Sequence, residues 1–488
     1  MKKNSILEDL EPKEVFQYFQ EICNIPHGSG NTEAIAAYCM DFARKNGHKS
    51  YQDSRGNVIV YVKASQGYEH CEPVALQGHL DMVCDKTADC KKDMEKEGIH
   101  IVTEGNYIMA DQTTLGADDG IGIAYLLAVA SMNVPHPPLE LIFTVDEEIG
   151  MLGAQELDLS GLQARRLINL DSEEEGILTI SCAGGVRAET RIPFQKEKEE
   201  KKLIQIVVRG LPGGHSGVEM HKKIPNAIKL LAELLHSMEG VPFSLCNFQG
   251  GTRDNSIPKQ AFAVIGVEEN QWELTLECLE KATEKIKEKN NRYTGLCIEI
   301  EPAESGSGPF LCREDSKRIL SFIRHAPDGV FKMSAEMKGM VESSSNLGVC
   351  RTEESEVIIK YLIRSNVAEG KDEICRELSR CAGKYGAAVE YYADYPAWEW
   401  KKNFPLLDVM IQSYEEEYGE KPVISGIHAG LECGILAGRA PEVDMVSMGP
   451  TLLHVHTPEE KMDIASVQRT WQYLLRILHN LKERGNEK

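Results

Sequence analysis

Apolar residues along the first 180 positions of the chain alternate between two spacings. PKEVFQYFQEIC (12–23) and TEAIAAYCMDFARKNG (32–47) place them at helical intervals and predict two amphipathic helices. Thr32 is a candidate N-cap of the second, and Gly47 its stop. NVIVYVKA (57–64) and PVALQGHLDMV (73–83) are short, nearly continuous apolar runs and predict strands. IGIAYLLAVASM predicts a helix, LELIFTVDEEIG a strand running into a loop, and ARRLINLDSEE (164–174) another buried strand. Apolar strands alternating with helices predict a three-layer α/β domain with a mostly parallel sheet.

The texture changes at QKEKEEKK (195–202), a charge run that reads as a solvated hairpin or linker. After it, KLIQIVVRGL, PNAIKLLAELLHSM, FSLCNFQGG, AFAVIGVE, WELTLECLEKATEKIKEKNN and LCIEIEPA give the order β-α-β-β-α-β, a split βαβ sandwich. SKRILSFIRHA, GVCRTEESEVIIKYLIRS, EICRELSRCAGKYG and AAVEYYADYPAW sketch a second, looser copy without internal sequence identity. The first texture returns with the helices FPLLDVMIQSYEEEYG and GLECGILAGR, the strand VDMVSMGP and the amphipathic SVQRTWQYLLRILHNLKE. The expected organisation is an α/β domain in two parts, 1–186 and 397–488, interrupted by a duplicated α+β module over 187–396.

Composition narrows the function classes. A chain of 488 residues exceeds one ordinary core, which fits the split organisation. A formal net charge of -22 opposes binding to nucleic acid and to anionic membranes. IAYLLAVA and the other apolar runs are too short to span a bilayer. MKKNSILEDLEPKE lacks the apolar stretch of a signal peptide, and the 14 cysteines are scattered singly. Reduced thiols in the cytoplasm are the expectation.

Five polar clusters fall where the strands of the split domain should end: GHLDM (His79, Asp81), GADDG (Asp118, Asp119), DEEIG (Asp146, Glu147, Glu148), NLDSEE (Asp171) and HVHTPEE (His454, His456). Ligands of open α/β sheets bind at that edge. Each cluster has an ordinary explanation by itself: a structural hydrogen bond, a helix cap, an acidic turn, a surface loop. Together the carboxylates would repel strongly at one edge, and divalent cations would reverse that penalty. Carboxylates with imidazoles and no cysteine suit zinc in a catalytic site, with cobalt or manganese as substitutes.

GHLDMV, LGADDGIG, EEIGMLGA, NLDSEE, GGHSG, RDNSIP, IHAGLECG and GPTLLHVHTPEEKM occur in this order, and over nearly its whole length the chain resembles the carnosinase-like aminoacyl-histidine dipeptidases. These are di-zinc metallopeptidases, a group that also includes the aminoacylases and peptidase T. The resemblance implies an α/β catalytic domain with an inserted lid. It implies that His79, Asp118 and Asp171 bind one zinc and that Asp118, Glu148 and His456 bind the other. In the same way Asp81 orients His79, Glu147 is the general base, and His215 in GGHSG stabilises the oxyanion. Asn255 in RDNSIP and Arg364 in YLIRSN are implied partners of the substrate's terminal carboxylate. His428 in IHAGLECG, assigned to the catalytic domain, is implied to line the same pocket. Asp119 is not expected to bind metal, and the peptide bond before it is expected to be cis.

The expected activity is metal-dependent hydrolysis of unblocked dipeptides, with two metal ions per chain. The alternative is an aminoacylase or deacetylase of the same fold acting on N-acyl amino acids. A non-catalytic relative is disfavoured because every implied ligand and Glu147 are present. Whether His215 acts in its own chain or across a homodimer stays open at this stage.

Overall fold

A computed structural model describes residues 7–238, 240–306, 309–402 and 405–482. The two N-terminal lysines, and the ends of two expected helices at Phe404 and Glu483, lie outside the described residues. The chain forms two compact units. The first comprises Met1–Ser181, Trp400–Gly426 and Leu431–Lys488, and the second Cys182–Glu399 and Ile427–Gly430.

The centre of the first unit is four neighbouring parallel strands: Leu139–Thr144, Val74–His79, Arg166–Asn169 and Asp444–Ser447. VALQGH is buried along its whole length, as expected of a parallel strand covered on both faces. Antiparallel strands extend the sheet: Val58–Val62 and Lys49–Gln52 beyond Leu139–Thr144, and Ile177–Cys182 beside Asp444–Ser447. All four parallel strands point the same way, so the segments carrying Asp81, Glu147, Asp171 and the 449–456 loop leave from one edge.

Helix Ala117–Ser131 lies against Val74–His79 and helix Lys13–Cys23. It is buried on every side from Asp119 to Ala130, each Leu or Ile contributing roughly 1.5–3 kcal/mol. Its Tyr125 stacks on Trp471 of the C-terminal helix Ile464–Asn480, ring centroids 6.0 Å apart, and its hydroxyl donates to the Val467 carbonyl. The two sequence segments of the unit are thus joined through one core. Gly78 is required here, because a Cβ at that position would stand 2.2 Å from Asp119 Oδ2.

The second unit holds a nine-stranded sheet built from two copies of one motif. In the first copy the strands run Cys297–Gly306, Lys201–Arg209, Ala261–Val267 and Ser244–Gly250 in spatial order. In the second they run Ala388–Tyr395, Gly184–Pro193, Glu356–Ser365 and Val341–Thr352. Both follow the order fourth, first, third, second. The second copy begins with Gly184–Pro193, so the first copy is inserted within it. The expected module boundary at 187 falls inside this strand. Its inward residues Val186, Ala188 and Ile192 alternate with Arg187, Glu189 and Arg191, a half-buried pattern with only two large apolar side chains. The charge run at 195–202 is not a hairpin. Lys196–Lys198 pairs with Pro309–Leu311, and Lys201 begins the first copy.

Candidate metal centre

The strand ends of the first unit bring five ligand-type side chains together. His79 Nε2 lies 3.1 Å from Asp118 Oδ1 and 3.4 Å from Asp171 Oδ1. His456 Nε2 lies 3.0 Å from the other Asp118 oxygen and 2.8 Å from Glu148 Oε1. Donor atoms of His79, Asp118 and Asp171 fall within 4.8 Å of one another, as do those of Asp118, Glu148 and His456. His79, Glu147 and Glu148 form a third such group. Asp118 belongs to the first two and turns one oxygen to each.

This donor set demands positive charge. Burial opposes protonation of His456, but Asp118 and Glu148 outweigh it and push the imidazole up to about 11. Burial lifts Asp171 to about 7 against the pull of His79. Burial also raises Glu147 well above the carboxylate range, opposed by His79 and reinforced by Asp171, Glu148 and Glu432. Carboxylates and imidazoles packed this closely, with no cysteine, fit hard or borderline divalent cations. Metal uptake must displace the protons of His456 and His79, the latter also raised by Asp171, Asp118 and Asp81 against its burial, and below pH 7 the Asp171 proton as well. Apparent metal affinity is therefore expected to weaken as pH falls from 8 to 6, by about tenfold per unit for each displaced proton, and most steeply below 7. Chelator-competition titrations across that range measure it.

Local structure explains the placement. Asp118 and Asp119 lie at the start of the buried helix, joined by a cis peptide bond. Asp119 points inward and accepts the His79 backbone N–H at 3.1 Å, away from the ligand groups. His79 Nδ1 donates to the main-chain carbonyl of Asp81 at 2.9 Å, while the Asp81 carboxylate is farther, at 3.6 Å. That carboxylate instead accepts the backbone N–H groups of Glu147 at 2.9 Å and Glu148 at 3.2 Å, and the Ser29 hydroxyl at 2.8 Å. Asp81 thus orients His79 through its backbone and the glutamate turn through its side chain. His456 lies on a loop pinned at its ends by Leu452–Leu453, which pairs with Lys461–Asp463, and Lys461–Asp463 in turn pairs with Tyr107–Ala110, the second strand of a hairpin with Ile101–Glu104. His454 is exposed and joins none of the ligand groups.

The second unit gathers the remaining candidates. His215 pairs with Ser256 across a two-residue ladder, and the Ser216 N–H donates to the Asn255 carbonyl. The backbone N–H groups of Gly217 and Val218 donate to His215 Nδ1, which fixes the tautomer with the proton on Nε2. Arg364 is buried, donates from Nη1 to the Tyr395 hydroxyl, and has no carboxylate partner among the described residues. His428 belongs to this unit, not to the first: Nδ1 donates to Asn366 Oδ1 and Nε2 accepts from the Ser344 hydroxyl. Burial, with Arg364 and His215 nearby, lowers it to about 3. Both ring nitrogens are engaged by protein, and His428 thereby braces Ser344 and Asn366.

Residues 75–480 match the model of peptidase family M20/M25/M40. The chain belongs to that family. It is 36% identical to the cytosol non-specific dipeptidase of Escherichia coli over 98% of this chain and 99% of the relative. The crystal structure of the aminoacylhistidine dipeptidase from Vibrio alginolyticus superposes with a TM-score of 0.88 at 35% identity, covering 97% of both chains. The aminopeptidase PepT of Bacillus cereus shares the fold, with a TM-score of 0.57 at 17% identity over 97% of this chain and 99% of that one. This M20 chain is a metal-dependent peptidase.

Two buried glutamates of this family member escaped the sequence reading. Glu460 accepts the backbone N–H groups of Leu115 at 2.7 Å, Gly116 at 3.1 Å and Ala117 at 2.8 Å, and so caps the loop that presents Asp118. It lies four residues from His456 and ties the two ligand loops together. Glu432 accepts from Gln77 and Thr144, each at 2.6 Å, and Gln77 accepts from Asn169 at 2.7 Å. This network joins three parallel strands just below His79 and Asp171. Glu460→Ala is expected to lower unfolding stability by about 1–3 kcal/mol, because buried N–H groups lose their acceptor. Metal retention should fall with it, and Glu460→Gln should lose less of both. Denaturant titration and metal analysis after dialysis measure these effects.

Proposed function

We propose that this M20 peptidase is a dipeptidase acting on short unblocked dipeptides, aminoacyl-histidine substrates among them. The first unit is its catalytic domain and the second its lid. Two zinc ions, or cobalt or manganese in their place, would be held by His79, Asp118 and Asp171 and by Asp118, Glu148 and His456. The observation that carries this reading is Asp118, with one oxygen facing each imidazole. The metal pair would supply Lewis-acid polarisation of the peptide carbonyl and an acidified water.

The remaining steps belong to the chain. Glu147, raised by burial, takes the proton of the attacking water and delivers it to the leaving amine. His215 donates from Nε2 to the developing oxyanion. Arg364, buried and without a carboxylate partner among the described residues, and Asn255 receive the substrate's C-terminal carboxylate. Among the described residues no helix is long and apolar enough to cross a membrane. A cytoplasmic site of action is in keeping with the cytosol dipeptidase of E. coli.

Assay of zinc-, cobalt- or manganese-loaded protein on carnosine-like dipeptides and on N-acetyl amino acids tests the reading. Cleavage confined to unblocked dipeptides supports it, and preference for the N-acyl compounds would replace it with the aminoacylase alternative. Arg364→Ala is expected to raise KM roughly tenfold to a few hundredfold, from losing a charged hydrogen bond worth about 1.5–3 kcal/mol, with a smaller change in kcat. Steady-state kinetics on one dipeptide show it.

A further inference from the structure

Asp146 is the acid of the DEEIG cluster that the metal centre leaves without a part. It directly precedes Glu147 and Glu148 but joins none of the ligand groups among the described residues. Its carboxylate is nevertheless committed on both sides, within the first unit. Oδ1 accepts the Gly30 N–H at 2.6 Å, and Oδ2 accepts from Arg55 Nη2 at 2.9 Å. The Asp146 carbonyl accepts the Leu152 N–H at 3.0 Å, so main chain and side chain are both held. Its φ is +55°, a left-handed conformation that Asp tolerates better than most residues. The chain leaving strand Leu139–Thr144 bends there, and Glu147 is the next residue.

Arg55 is delivered by a turn with its own internal bonds. DSRGN (53–57) joins strands Lys49–Gln52 and Val58–Val62. The Asp53 carboxylate accepts the N–H groups of Arg55 at 2.9 Å and of Gly56 and Asn57 at 3.0 Å. Buried Asn57 then clasps the glutamate turn at both ends. Its Oδ1 accepts the Val145 N–H at 3.1 Å, and its Nδ2 donates to the Gly153 carbonyl at 3.0 Å. The Gly153 N–H closes that turn onto the Val145 carbonyl at 2.9 Å. The Arg55–Asp146 ion pair is sheltered, its side chains 29% and 12% exposed. Asp81 holds the N–H groups of Glu147 and Glu148 alike. As a ligand, Glu148 would be fixed further by its ion, whereas Glu147 as general base has only the turn to aim it.

We propose that Arg55, acting through Asp146, is a positioning residue for Glu147: the ion pair fixes the left-handed residue from which the chain delivers the general base. The proposal rests on the reading of Glu147 as that base. Metal-loaded Arg55→Ala is compared with the parent on a dipeptide that the parent cleaves. A loss in kcat of about tenfold or more is expected, with KM within about threefold and metal content unchanged by elemental analysis. Guanidinium ion, added well below denaturing concentration, is expected to recover part of the lost kcat by pairing with Asp146, where sodium ion at equal concentration does not. Asp146→Asn is the second variant. Asparagine keeps an acceptor for the Gly30 N–H and tolerates the left-handed conformation, so only the ion pair is removed. It should show the same loss confined to kcat, without recovery by guanidinium. A kcat within about threefold of the parent in both variants overturns the positioning role. So does a loss carried by KM, a loss of metal, or an Arg55→Ala defect that guanidinium does not relieve. Glu147→Gln measured alongside separates the two readings. Full turnover there removes the base itself, whereas an inactive Glu147→Gln beside an unaffected Arg55→Ala removes the positioning role alone.

Discussion

Glu147→Gln is expected to abolish turnover while the protein keeps its metal. Glu147 sits on the turn after Leu139–Thr144, its N–H held by Asp81 at 2.9 Å. Burial and the neighbouring acids raise its carboxyl, which suits a group that must take a proton and release it near neutral pH. Glutamine keeps the shape and the backbone contact but cannot accept the proton. The expected loss in kcat is about 10²–10⁴-fold, with metal content unchanged by elemental analysis. Turnover within a factor of a few of the parent would remove Glu147 from its role.

Asp118→Ala should have the larger structural effect. One oxygen serves each imidazole, so both candidate triads fall to two ligands at once. Loss of an outer partner of a metal ligand costs 10–100-fold in affinity, and loss of a shared ligand is expected to exceed about 100-fold at both positions. Dialysed protein should retain no metal, against two equivalents in the parent. Asp171→Ala is the comparison: it touches one triad only and should spare the other position. Retention of two equivalents by Asp118→Ala would contradict the bridging geometry.

The split α/β organisation was legible because its central strands are predominantly apolar and alternate with helices, amphipathic at Lys13–Cys23 and Glu33–Lys45 and apolar all round at Ala117–Ser131. GHLDM, GADDG, DEEIG, NLDSEE and HVHTPEE declared themselves because acidic residues recur at predicted strand ends. Other features had no local mark. Glu460 caps residues more than three hundred positions earlier, and Glu432 meets Gln77 at a comparable separation. Each looks like an ordinary acidic residue until the chain closes. The Asp81 carboxylate was expected at His79; it lies 3.6 Å from Nδ1, while the main-chain carbonyl of Asp81 takes the hydrogen bond and the carboxylate also accepts from the Glu147 and Glu148 backbone. His428 was expected in the catalytic domain because it falls within 397–488, yet Ile427–Gly430 belongs to the second unit, where Ser344 and Asn366 hold it.

Asp444–Ser447 is an interior strand, between Arg166–Asn169 and Ile177–Cys182. A ribosome making this chain must release most of it before that gap can be filled. The inserted unit, complete by residue 430, can reach its native state while the earlier half of the first is still waiting. The unit that starts first is the last to finish, and a chain cut short before residue 444 would leave two strand edges exposed inside what should be a continuous sheet.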